Sequence, residues 1–134
     1  MEPFALHERL ATDTTHVADW ALSRVLLMND ARYPWLILVP RRARLVELHD
    51  LSHAEGLVLI EEMKRASEGL KRLTGAAKIN IGALGNRVPQ LHIHVVARDP
   101  TDPAWPDPVW ACGAAVPYEP DARRALFGRL STDL

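Results

Sequence analysis

The stretch from Val88 to Pro100 carries two histidines, His92 and His94, one residue apart inside an apolar run of Leu91, Ile93, Val95 and Val96. On an extended strand, residues i and i+2 share a face. Gln90, His92 and His94 therefore line one side, each about 7 Å from the next. Leu91, Ile93 and Val95 face the other. A buried imidazole is costly unless its nitrogens find partners, so the pair needs an explanation, and three readings are open. Both histidines can be structural, bonded to backbone or water. They can ligate a metal, which needs a third ligand that no nearby Glu or Cys supplies. Or a neutral imidazole can attack phosphorus and form a phosphoramidate intermediate; an ordinary pKa of about 6.5 leaves histidine mostly neutral at physiological pH.

The elements that must hold this strand are legible around it. Ser23–Asn29 and Trp35–Val39 read as two strands joined by the turn-like Asn29-Asp30-Ala31. Their near-continuous apolar character predicts a sheet covered on both faces. Ser52-His53-Ala54-Glu55 is a capping box. After it, Leu59, Met63, Ala66, Leu70 and Leu73 recur at helical spacing up to Gly75, which suits a left-handed cap. Glu61 with Arg65 and Glu68 with Arg72 are candidate ion pairs on the wet side of that helix. Lys78–Gly82 alternates as a strand, Gly85-Asn86 is a turn, and Leu91–Arg98 is the histidine strand. Residues 100–120 hold six prolines with Trp105 and Trp110 among them, which excludes a central strand or helix. They predict an arm packed on the domain or on a partner. A short helix is expected over about 120–130. The N-terminal 20 residues give mixed signals, with a short helix or strand around Phe4–Leu10. Arg41, Arg42 and Arg44 read as a solvated basic loop, with phosphate contact as the other option.

Composition bounds the function. The 134 residues suit one domain, 48% are apolar and 25% charged, and the net charge is −1. Nothing in that balance points to a nucleic-acid or membrane-surface partner. One cysteine, Cys112, leaves no intramolecular disulfide. No apolar stretch has membrane-spanning length, and MEPFALHERL lacks the apolar core of a signal peptide. The expectation is a cytoplasmic protein.

The run Gln90-Leu91-His92-Ile93-His94-Val95-Val96 resembles the histidine triad (HIT) motif, His-φ-His-φ-His-φ-φ with φ apolar, and the element order from Ser23 to Arg98 is similar to that family as well. The QLHIHVVAR form looks like a branch of small stand-alone bacterial proteins described as dinucleoside polyphosphate hydrolase-like. The resemblance implies an α+β fold: an antiparallel sheet of about five strands, one long helix packed on it and a short C-terminal helix, as a single domain over 1–134. It implies a hydrolase or nucleotidyl transferase cleaving nucleoside phosphoramidates or dinucleoside polyphosphates at the α-phosphate. By that resemblance His92 is the nucleophile, and His94 contacts phosphate oxygens and helps the leaving group. Asn29 bonds the ribose hydroxyls and Asn80 is an amide near the phosphates. Leu27, sharing a face with Asn29, is expected to wall the base pocket, and Arg87 to meet phosphate. It also implies a purine-nucleotide-type substrate, a homodimer with joined sheets, and no metal or other cofactor.

Two residues depart from the family pattern. The first histidine of the triad is Gln90, and the histidine that usually begins the second strand is Trp35. Glutamine donates and accepts hydrogen bonds but carries no proton at neutral pH. Both departures keep alive a second reading, a nucleotide-binding module with little or no turnover.

Overall fold

The computed structural model describes residues 2–134. A short helix α1 (Glu8–Asp13) leads into β1 (Thr14–Asp19), β2 (Ser23–Met28) and β3 (Trp35–Pro40). A single 3-10 turn (Leu48–Asp50) precedes the long helix α2 (His53–Thr74), followed by β4 (Lys78–Gly82), β5 (Ile93–Arg98) and α3 (Pro120–Asp133). The five strands form one antiparallel sheet in the order β1-β2-β3-β5-β4, so the histidine strand lies between β3 and β4. This is the α+β architecture, with its long helix on the sheet, that the sequence led us to expect.

Local chemistry sets the long helix. Ser52 accepts from the Glu55 amide at 3.1 Å while the Glu55 carboxylate accepts from the Ser52 amide at 2.9 Å. At the far end Gly75 takes φ 67°, a left-handed conformation that a Cβ disfavours. Leu59, Ala66 and Leu70 are buried against the sheet, joined by Leu91, Ile93, Val95 and Ala97 of the histidine segment. Burial of one such leucine stabilises by ~2 kcal/mol. Glu62, also buried, turns its carboxylate to the backbone amides of Leu22 and Ser23, both at 2.9 Å, and so ties α2 to the start of β2. Glu68 meets Arg72 as expected, whereas Glu61 pairs with Lys64. Arg65 instead lies over the Trp20 ring, 4.0 Å from its centroid, and donates to the Leu134 carbonyl at 3.1 Å.

The opposite sheet face holds a second apolar cluster built on Leu26, Trp35, Ile37, Val39 and Val96. The proline-rich arm supplies its cover through Ala104, Val109 and Trp110. Arg98, 2% exposed, anchors the arm: its guanidinium donates to Asp102 at 2.8 and 3.1 Å, to the Asp107 carbonyl at 2.8 Å and to Asn80 Oδ1 at 2.7 Å.

Candidate active site

The histidine strand is shorter at its start than its apolar pattern predicts, because regular pairing begins only at Ile93. Leu91 donates its amide to the Leu45 carbonyl instead, at 2.9 Å. His92 therefore sits on extended chain just outside the ladder, and its ring turns back so that Nδ1 lies 2.6 Å from the Gln90 carbonyl oxygen. A carbonyl can only accept, so Nδ1 carries the hydrogen and Nε2 keeps its lone pair. Burial pushes the His92 pKa below the ordinary histidine value; the bond to Gln90 opposes this and a charge on His7 would add to it. The imidazole is thus neutral at neutral pH.

His94, one step along, has the opposite tautomer. The Trp35 indole Nε1–H, which can only donate, points at His94 Nδ1 from 3.0 Å. The hydrogen of neutral His94 therefore resides on Nε2. Its ring lies edge-on to Trp35 (centroids 5.6 Å), Trp110 (5.5 Å) and His92 (4.8 Å). Burial first, and the neighbouring His92 second, push its pKa down to about 3. So His94 is a neutral hydrogen-bond donor and carries no imidazolium charge at physiological pH. Beside His92 opens a cavity of about 280 Å³ between the Val46–His49 loop and the turn from Ala83 to Leu91. A second cavity, of about 310 Å³ between α2 and the β4 side of the sheet, is walled mostly by apolar side chains and touches neither imidazole.

The remaining residues singled out in the sequence fall in several places. Gln90 does not present its side chain to a phosphate. Its Oε1 accepts from the His7 amide at 2.8 Å and its Nε2 donates to the Ala5 carbonyl at 2.9 Å. An amide side chain matches extended backbone with one donor and one acceptor, and the N-terminal segment takes both. Leu27 is corrected as well: it packs in the cluster under α2, while Leu26 and Met28 face the histidine side. The strand ends at Met28, so the two-residue period linking Leu27 to Asn29 stops one residue short. Asn29 accepts from the Tyr118 amide at 3.0 Å, fastening the end of the arm. Asn80 faces the histidine side opposite Val96, but its oxygen serves Arg98 rather than a phosphate. Arg87 is exposed in the turn before His92, with no hydrogen-bond or ion-pair partner among the described residues. The basic loop is engaged with protein: Arg42 pairs with Glu55 at 2.9 Å and Arg44 with Glu2 at 3.2 Å. Among the described residues no three His, Cys, Asp or Glu side chains group as metal ligands, and no helix is long and apolar enough to cross a membrane.

Two contributors escaped sequence reasoning. Trp110, from the arm, packs against His94, and a Cβ on Gly82 would come within 3.0 Å of its ring. That glycine on β4 was a visible signal, although its partner was not. His7, 83 residues before Gln90, reaches the site only through the fold and left no spacing signal at all.

The fold is an antiparallel α+β sheet that carries, at and just before the start of one strand, two imidazoles of opposite tautomer. The HIT domain model matches residues 9–101, and the chain belongs to the HIT family. It is similar to the crystal structure of a histidine triad protein from Bradyrhizobium japonicum, with 42% identity, 98% of each chain covered and a TM-score of 0.96. A histidine triad protein from Sinorhizobium meliloti is 46% identical over 98% of this chain and 97% of that one, with a TM-score of 0.95. One from Marinobacter aquaeolei is 44% identical over 98% and 96%, also at 0.95. Among curated proteins none matches the chain. Membership of the family gives nucleotide hydrolase or transferase as the general class of activity.

Proposed function

We propose that the protein is a nucleotidyl hydrolase or transferase that cleaves purine nucleoside phosphoramidates or dinucleoside polyphosphates at the α-phosphate through a covalent His92 intermediate. The observation that carries this reading is the Nδ1–H bond from His92 to the Gln90 carbonyl at 2.6 Å, which leaves Nε2 as a lone pair on a neutral, cavity-lining imidazole. Nε2 attacks phosphorus, the new P–N bond forms, and the bond to the leaving group breaks with its electron pair. Water then attacks the adduct, the P–Nε2 bond breaks with its electron pair returning to Nε2, the proton lost by water passes to the departed group, and neutral His92 returns. His94 Nε2–H and backbone amides of the Asn86–Val88 turn are the donors for charge developing on the phosphate oxygens. In this reading exposed Arg87 adds a cation from the same turn. Nothing in this scheme requires a metal.

The edge strand β4, the chain just beyond it and the adjoining helix face expose Ile81, Leu84, Leu57 and Ile60. An edge with such side chains supports pairing of two copies through β4 into one continuous sheet. The intended setting is the cytoplasm.

The test is intact-protein mass after reaction with an adenosine phosphoramidate, quenched without acid. An adenylyl adduct on the wild type and on His94→Ala, but absent from His92→Ala, is expected. AMP bound without adduct or turnover by the wild type would replace this reading with a nucleotide-binding module.

A further inference from the structure

Three histidine rings in this fold have Nδ1 committed to the protein. His92 Nδ1 donates to the Gln90 carbonyl and His94 Nδ1 accepts from Trp35. The third is His7, which caps α1: its Nδ1 accepts from the Arg9 amide at 3.0 Å. A backbone N–H can only donate, so neutral His7 carries its hydrogen on Nε2, as His94 does. The backbone of His7 is also tied to the segment that carries the nucleophile. Gln90 binds the backbone of Ala5 and His7 with its side chain while its own carbonyl orients His92. One residue thus couples the N-terminal segment to the reacting imidazole. The His7 ring is half-buried, and a charge on it would lower the His92 pKa. Glu47 and His49 line the cavity beside His92 from the Val46–His49 loop.

We infer that His7 is a substrate-binding residue, its Nε2–H donating to a phosphate oxygen of the nucleotide held at His92, and that Gln90 is the positioning residue that brings it there. The N-terminal segment then returns, from 83 residues away, an imidazole donor to a site whose motif has glutamine in place of the first histidine. This inference rests on the proposed chemistry at His92, but it makes its own claim about binding. Because the capping bond keeps Nδ1 as an acceptor, the role is hydrogen bonding to the phosphate, without proton transfer.

Asparagine at position 7 separates this role from a structural one. Its side-chain oxygen caps a helix as well as or better than other residues, so His7→Asn preserves α1 and removes only the ring Nε2–H. The first readout is the affinity for AMP and for adenosine, measured by calorimetry on wild type, His7→Ala, His7→Asn and Gln90→Leu. The second is the single-turnover rate of adduct formation at His92. We expect all three variants to bind AMP several-fold more weakly with adenosine affinity unchanged. Their adduct formation should be slower by about tenfold or more, in line with loss of one donor to a developing oxyanion. The His7→Asn/Gln90→Leu pair should lose no more than either alone, since both act through one ring. Wild-type AMP affinity and rate in His7→Asn would overturn the proposal and leave His7 as a helix cap. A wild type that forms no adduct defeats the catalytic reading separately, while the AMP-against-adenosine comparison still decides whether His7 meets phosphate.

Discussion

Acidification should destabilise this protein through His94 in a calculable way. In the unfolded chain a histidine titrates near 6.5, whereas in the fold His94 is pushed down to about 3 by burial and by His92. Between those values the unfolded chain binds a proton that the native site refuses, so native stability falls as pH falls. Each pH step across that window costs about 1.4 kcal/mol. Going from about pH 7.5 to about pH 4 crosses roughly 2.5 steps, or roughly 3 kcal/mol, and the whole window is worth roughly 5 kcal/mol. His94→Gln removes the titration and keeps an oxygen able to accept from Trp35 Nε1. Urea denaturation of wild type and His94→Gln at both pH values isolates the term, because every other carboxylate and histidine, His92 included, remains in both proteins. Wild type should lose roughly 3 kcal/mol more than the variant on acidification. Equal losses would refute the reasoning and mean that His94 is solvated or protonated in the fold.

Two further outcomes test the parts that hold the site. Asp102→Ala leaves the Arg98 guanidinium buried with its main anionic partner gone, and should cost about 3–5 kcal/mol in chemical denaturation, with Asp102→Asn losing less. Glu62→Leu strands two buried amides, those of Leu22 and Ser23. It should cost about 3 kcal/mol and speed hydrogen exchange at those two positions relative to Glu62→Gln.

Much of the scaffold is local and was therefore legible. The capping box at Ser52, the left-handed Gly75, the helical stripe from Leu59 to Leu73 and the strand Lys78–Gly82 are decided by neighbours within a few residues. Proline at the first turn of α3 belongs with them, although that helix runs on to Asp133, beyond the 130 expected. Less legible was β1, whose Thr-rich, half-exposed residues give no apolar alternation because it is an edge strand.

For the site, the sequence by itself determined that two imidazoles share one face of a strand whose other face is apolar, since alternation is a property of extended chain. It could not determine which nitrogen of each ring is free. That depends on the Gln90 carbonyl for His92, on Trp35 from β3 for His94 and on the Arg9 amide for His7. Nor could it show that Gln90 spends its amide on Ala5 and His7, that Asn80 serves Arg98, or that Leu27 lies under the helix. The bonds to His92 and His7 are local but depend on how each ring turns, whereas the partners of His94, Gln90 and Asn80 are brought up by chain packing from far along the sequence. The order β3-β5-β4 and the path of the N-terminal segment place those partners, and a hydrogen bond is decided by what lies within about 3 Å, whatever the sequence distance.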